Sequence, residues 1–87
     1  MAGDQFQKGL HNIQDAIDTA LRDRTIHEAS VSHTTPGPGP GDAVFTVTAQ
    51  GMSVDQKFTR EEIEDSGQAI DRFAATKVRS LVSHFVR

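Results

Sequence analysis

The apolar residues near the start of the chain recur every three or four positions. Five of them keep to this spacing: Phe6, Leu10, Ile13, Ile17 and Leu21. Residues so spaced share one face of a helix, which predicts an amphipathic helix over about residues 4–23. We expect Asp4 to cap its start, because a short carboxylate can accept hydrogen bonds from the first backbone N–H groups. The pair Arg24-Thr25 is expected to end it.

The next segment alternates with a period of two. His27, Ala29, Val31 and His33 have one parity and polar residues have the other, which predicts a strand over about residues 26–34. Its apolar side is weak, so we expect an edge strand. Residues 35–42 contain all three prolines of the chain and predict a loop, because proline lacks a backbone donor.

A β-hairpin is the clearest element. Residues 43–49 and 52–58 flank the pair Gln50-Gly51, and a two-residue turn fixes the register between the two strands. In that register one side of the hairpin is apolar and the other polar, with Gln56 as the one polar exception on the apolar side. This agreement between turn and pattern predicts two paired strands.

Two helices are expected after the hairpin. Thr59 and Glu62 have the spacing of a capping box, which predicts a short helix over residues 60–65. The pair Ser66-Gly67 interrupts the helical pattern, and a longer helix is predicted over about residues 68–85. The apolar face of this last helix covers close to half its circumference, which is wide for a helix at the edge of a small monomer. Either the first helix or a second copy of the chain could cover the excess.

These elements predict one α+β domain over residues 1–87, with the order α-β-β-β-α. A three-stranded antiparallel sheet would be covered on one face by helices. The chain has 87 residues, a formal net charge of −3 and no cysteine, which excludes a disulfide scaffold and a cysteine zinc site. It shows neither a signal-peptide pattern nor an apolar run of the ~20 residues that span a bilayer. We therefore expect a bacterial, cytoplasmic domain without a membrane role.

Candidate chemistry is sparse, and we predict that the protein is not an enzyme and holds no metal or cofactor. On one strand, His27 and His33 would be about 20 Å apart, too far to share a metal ion. Ser80 and His84 have helical i, i+4 spacing but lack an oriented third group. The acidic residues at 61–65 are interpreted as favourable charge at a helix start. An enzyme would require His27 or His33 in a pocket beside a carboxylate.

The last helix supplies the candidate binding residues. Its wide apolar face predicts a contact surface for self-association or another protein, made of Phe73, Val78, Val82, Phe85 and Val86. Its polar face is basic and includes Arg72, Arg79 and Arg87. Residues 71–87 carry four basic residues against one acidic one, a sum of +3 in a chain of net −3. The leading hypothesis is a non-enzymatic protein-interaction or regulatory domain acting as a homodimer. The alternative is a nucleic-acid-binding module that uses the basic face.

The predicted topology resembles the double-stranded-RNA-binding domain. In that family a Gly-Pro loop precedes the second strand, as Gly37-Pro38 precedes Phe45-Thr46-Val47 here. The resemblance implies RNA binding through the first helix and through a lysine cluster at the start of the second helix. This chain departs from that pattern, since residues 59–65 carry four carboxylates that repel phosphates. RNA binding is therefore retained as the alternative function.

Residues 43–86 are also similar to a family of short bacterial domains of unknown function. The similarity rests on Val44-Phe45-Thr46-Val47, Gly51, residues 58–65, Ile70, Phe73, Val78-Arg79 and Val82. It implies a hairpin, a short helix rich in Arg and Glu, and a closing helix, and it implies no activity. The first helix and the Pro-Gly loop depart from the family pattern.

Overall fold

The fold is described by a computed structural model that covers residues 2–35 and 41–85, with side chains from residue 5 onward. Its elements are α1 (Ala2–Asp23), β1 (Ser30–Thr34), β2 (Ala43–Ala49), β3 (Met52–Phe58), α2 (Arg60–Asp65) and α3 (Arg72–Val82). The strands form one antiparallel sheet in the order β1-β2-β3. The predicted α+β class and α-β-β-β-α order are thus confirmed, and α2 and α3 are separate helices. The middle of the predicted Pro-Gly loop, residues 36–40, lies outside the described residues.

The β2–β3 hairpin has the predicted bounds and the predicted register. Ala49 lies opposite Met52 and Ala43 lies opposite Phe58. Both turn residues have a positive φ, 55° at Gln50 and 78° at Gly51, as a type I′ turn requires. The two-residue turn fixes the register, which places the apolar residues of both strands on one side of the sheet.

The first helix and the first strand begin at other residues than predicted. The helix α1 begins at Ala2, so the prediction that Asp4 caps it is wrong, because Asp4 already lies inside the helix. The strand β1 begins at Ser30 instead of residue 26. Glu28 has a φ of 59°, which breaks the extended backbone, and Ile26 turns into the core with 5% exposure. His27 therefore does not lie on the strand.

The last helix is shorter than the predicted 68–85. Asp71 is its N-cap, and its side chain accepts hydrogen bonds from the backbone N–H groups of Phe73 and Ala74 at 3.0 and 3.4 Å. Residues 66–70 instead form a connection, and Ser83 ends the helix. The N-cap at residue 71 was missed because the apolar Ile70 continues the helical period across the break.

The hydrophobic core lies between the sheet and the helices. The rings of Phe45 and Phe58 meet edge to face at 5.2 Å at its centre. The helix α1 contributes the whole apolar stripe identified in the sequence, and α3 packs against both α1 and β3. The opposite face of the sheet is open and carries mostly hydroxyl side chains. The helices thus cover one face of the sheet, as predicted.

Candidate protein-binding groove between α1 and α3

An open groove of about 450 Å³ runs along the outer side of the junction between α1 and α3. Its floor is apolar and consists mainly of small side chains: Ala16, Ala20, Ala69, Ile70, Ala75 and Val78. Polar side chains line its margins: Asn12, Asp15, Thr19, Asp23, Gln68 and Arg79. Because alanine fills little volume, two packed helices with alanines on the same outer side leave space between them. The groove therefore exists because the residues beside the core stripe of α1 are small.

Ser66 fixes the end of the groove where the connection between α2 and α3 passes α1. Its side chain is fully buried, and Ser66 Oγ donates to the Glu62 carbonyl at 2.8 Å. The same oxygen accepts from the Asp71 N–H at 3.0 Å, while Asn12 Nδ2 donates to the Ser66 carbonyl at 2.6 Å. These bonds join three helices at one residue. The hydrogen bonds of Ser66 therefore hold this end of the groove in place, and each polar group of Ser66 that they involve has a partner.

The two margins of the groove differ in charge. On the α1 margin, Asp15 and Asp23 are exposed carboxylates, and Asp15 is 3.2 Å from the imidazole of His11. On the α3 margin, Arg79 is exposed, and its guanidinium donates a long hydrogen bond of 3.5 Å to Thr76 Oγ1. An acidic and a basic margin on either side of an apolar floor can orient a ligand that carries both charges.

The structure places the predicted interface residues mainly in the core. Val82 and Phe85 are each 1% exposed, and Val78 is 4% exposed at the floor of the groove. Within one chain, α1 and the sheet cover Val82 and Phe85, so these two side chains belong to the core. Phe73 remains available, since 67% of it is exposed. Val86 lies outside the described residues.

The basic face is present on the surface as far as it is described. Arg72 and Arg79 are both exposed on α3, and Arg87 lies outside the described residues. Lys77, on the same helix, has a structural role instead. Its Nζ donates to Glu62 Oε1 at 2.6 Å and to the Lys57 carbonyl at 3.1 Å, and it lies 5.7 Å from the centre of the Phe58 ring.

The Lys77–Glu62 pair affects the titration of the carboxylate. Burial raises the pKa of Glu62, but hydrogen bonds from Lys77 and from Thr59 outweigh this and hold the pKa below its ordinary value. Thr59 and Glu62 also form the predicted capping box, with the Thr59 N–H donating to Glu62 Oε1 at 2.8 Å. One carboxylate thus caps α2 and ties it to α3.

Of the two histidines named for an enzyme, His27 does lie in a pocket beside carboxylates. The pocket is an open polar depression of about 480 Å³ that Asp18, Arg22 and Glu28 also line. No hydrogen bond or ion pair joins His27 to either carboxylate within residues 2–35 and 41–85, so neither carboxylate orients the imidazole through a hydrogen bond. The ring of His33 packs on Phe45 at 5.2 Å.

The other residues with candidate chemistry are His84 and the groups that could bind a metal ion. The imidazole of His84, which follows α3, is 3.3 Å from the Leu81 carbonyl in the last turn of that helix. Within the described residues, no three His, Asp or Glu side chains are placed to hold a metal ion. Over the same part of the chain, no helix has the length and apolar character needed to cross a bilayer. The α1–α3 groove, with its apolar floor between margins of opposite charge, is the candidate binding site.

Comparison with known proteins adds no relative: no protein-family model, no curated protein and no solved structure matches this chain. The two family resemblances drawn from the sequence therefore stay predictions. The site has to be interpreted from its own geometry.

Sequence reasoning missed the groove, although the sequence contains a signal for it. Ala16 and Ala20 are four residues apart, directly beside the apolar stripe of α1. A pair of small residues at that spacing marks a place where a second helix or a ligand can approach closely. The path of residues 66–71 decides whether a second helix packs there or the space stays open for a ligand. The sequence pattern does not give that path.

Proposed function

We propose that the protein is a small, non-enzymatic, cytoplasmic interaction domain that binds an amphipathic helix of another protein in the α1–α3 groove. The observation that carries this proposal is the composition of the groove, an apolar floor of small side chains between margins of opposite charge. Short amphipathic helices bind such grooves by inserting large apolar side chains at helical spacing.

The size of the groove fits a short helix. Along α1 it extends from Asn12 to Asp23, which is roughly 16 Å of helix axis. Two to three turns of a partner helix fit this length. The alanines of the floor leave room for side chains such as leucine or phenylalanine, whose burial supplies the binding free energy.

The charged margins of the groove indicate which charges the two flanks of the partner helix would carry. Basic side chains on one flank would face Asp15 and Asp23, and an acidic side chain on the other flank would face Arg79. These margins are exposed to solvent, so we expect them to set orientation and association rate more than affinity.

The test uses a designed helical peptide with a leucine stripe, a lysine flank and a glutamate flank. We expect it to shift the NMR signals of Ala16, Ala20 and Ala75 in the ¹⁵N-labelled protein, while a peptide with serine in place of leucine does not. Ala16→Arg or Ala75→Arg should fill the groove and remove the shifts. The control Thr48→Arg adds the same charge on the open sheet face and should leave them unchanged.

Charge specificity gives an independent readout. Arg79→Glu makes both margins acidic, so binding of the zwitterionic peptide should weaken and binding of a peptide with two lysine flanks should strengthen. Each arginine variant is checked for folding by its circular dichroism melting curve. The proposal is refuted if the leucine peptide causes no shifts at millimolar concentration, or if the shifts persist in both groove-filled variants.

Nucleic-acid binding is the alternative function, and the exposed Arg72 and Arg79 on a helix without acidic residues favour it. Asp15 and Asp23 lie across the groove from Arg79 and oppose it. A gel shift with double-stranded RNA and DNA at low salt separates the two functions, because phosphate attraction is strongest there. Retardation that disappears in Arg72→Glu and Arg79→Glu would support the alternative.

A further inference from the structure

The two edges of the sheet are protected to different degrees. The outer strand β3 carries Asp55 and Lys57, and the Lys57 carbonyl accepts a hydrogen bond from Lys77 Nζ of α3 at 3.1 Å. Charged side chains and a covering element are the usual means by which proteins keep an edge strand from pairing with another chain. The β3 edge therefore has the features of a closed edge.

The β1 edge lacks these features. The strand Ser30–Thr34 has the sequence SVSHT, with no Asp, Glu, Lys, Arg or Pro. Among the described residues, β1 pairs only with β2, and all of its residues except Val31 are exposed. A row of backbone N–H and C=O groups on the outer side of β1 is thus accessible for pairing with a further strand.

The side chains of β1 would gain burial from such a strand. Val31 lies opposite Val47 and His33 lies opposite Phe45, so both point to the face that the helices cover. Val31 is half-buried and packs against the margin of the core, and the ring of His33 rests on Phe45 at 5.2 Å. A neighbouring strand with apolar or aromatic residues beside Val31 and His33 would extend the hydrophobic core beyond β1.

We propose that β1 pairs with β1 of a second copy of this chain, in antiparallel orientation about a two-fold axis at Ser32. Full overlap of the five-residue strand then places Ser32 opposite Ser32 of the second copy, and Val31 opposite His33 of the second copy. The strand complements itself in this register, because an apolar side chain meets an aromatic ring and no like charges face each other. Two three-stranded sheets become one continuous sheet, with the helices of both copies on the same side.

This inference concerns a different surface from the α1–α3 groove, and neither proposal depends on the other. It also moves the self-association expected from the sequence to the sheet edge, since the core covers the apolar face of α3 except for Phe73. The hydroxyl rows of the open sheet face would run across the junction without a charged interruption at Ser30, Ser32 or Thr34.

Cysteine cross-linking tests the register directly. The chain has no cysteine, so Ser32→Cys introduces a single thiol. Opposite residues of antiparallel strands have Cα atoms about 4.5 or 5.5 Å apart, and both distances suit a disulfide. We expect Ser32→Cys to oxidise to a covalent dimer at dilute concentration. The matched control Ser53→Cys, which lies on the same sheet face at the other edge, should stay monomeric.

Charge exchange provides the second test. In Ser32→Lys and in Ser32→Glu, like charges meet on the two-fold axis, so each variant alone should dimerise about fivefold more weakly than the wild type. A mixture of the two variants should form a heterodimer at least as tight as the wild-type dimer. Ser32 is exposed, and unchanged melting of the dilute monomers confirms that the variants fold.

Sedimentation of the wild type across a concentration series gives the reference state. A strict monomer at millimolar concentration overturns the proposal. Equal oxidation of Ser32→Cys and Ser53→Cys, or a mixture of the lysine and glutamate variants no tighter than either alone, also overturns it. A wild-type dimer that dissociates in Ala16→Arg but not in Ser32→Lys would place self-association in the groove instead.

Discussion

At the scale of single residues, Gly9 shows how a position that is unfavourable for local structure serves tertiary packing. A glycine within a helix destabilises that helix by about 1 kcal/mol relative to alanine. In this fold, a Cβ atom at residue 9 would lie 1.7 Å from the backbone oxygen of Ile63 in α2. The glycine is therefore required by the close approach of α1 to α2.

The substitution Gly9→Ala is accordingly predicted to destabilise the protein, against the helix propensity. We expect the free energy of unfolding to fall by about 2 kcal/mol, because backbone atoms of α2 have to move away. Urea denaturation measures it. The control Gly41→Ala, where a Cβ would meet nothing within 4 Å, should change the stability by less than about 0.5 kcal/mol. An increase in stability for Gly9→Ala would contradict this account.

At the scale of elements, the end of α1 is formed by a Schellman motif. The Ile26 N–H donates to the Leu21 carbonyl at 3.0 Å and the Thr25 N–H donates to the Arg22 carbonyl at 2.9 Å. Ile26 and Leu21 are both buried, which supplies the apolar contact of the motif. Its left-handed position is occupied by Thr25, with a φ of 61°, where a glycine is usual. A β-branched residue in this conformation is strained.

We therefore predict that Thr25→Gly stabilises the protein, by about 1 kcal/mol, through relief of this strain. The comparison variant Thr19→Gly makes the same change within α1 and should lower the stability by about 0.3 kcal/mol, because threonine is itself a poor helix former. Chemical denaturation of both variants checks the opposite signs. Destabilisation by Thr25→Gly would show that the threonine side chain contributes more than the strain removes.

At the scale of the whole molecule, the Lys77–Glu62 contact links the end of the hairpin, α2 and α3. The pKa of Glu62 is below its ordinary value of 4.5 in the folded state. A carboxylate with a lowered folded-state pKa stabilises the fold at pH values above its unfolded pKa. This contribution decreases as the pH falls through the ordinary value and is lost below the folded-state pKa.

The pH dependence of the variant Glu62→Gln tests this link. We expect it to be less stable than the wild type by about 1 kcal/mol at neutral pH. The difference should decrease as the pH falls through the ordinary pKa of Glu62 and vanish below its folded-state pKa. Urea unfolding at a series of pH values provides the measurement. The variant Glu61→Gln removes an exposed carboxylate that makes no hydrogen bond or ion pair with described residues, and its effect should be small. A difference for Glu62→Gln that persists in acid would exclude the ionised pair as its cause.

The elements that could be predicted from the amino-acid sequence are those formed by residues close together in the chain. The hairpin register follows from two strands of period two and a two-residue turn, and the capping box at Thr59 and Glu62 joins groups three residues apart. The apolar stripe of α1 likewise needs only the helical period. In each case the groups that interact are close in the chain, so their spacing fixes the outcome.

What covers each apolar face depends on how the helices and the sheet pack together in the folded chain. Val82 and Phe85 could equally have served a partner, and their burial follows from the position of α1 against α3. The groove, the need for glycine at position 9 and the asymmetry between the β1 and β3 edges arise in the same way. They depend on which distant segments meet, and a hydrophobic pattern states that a face must be buried without stating what buries it.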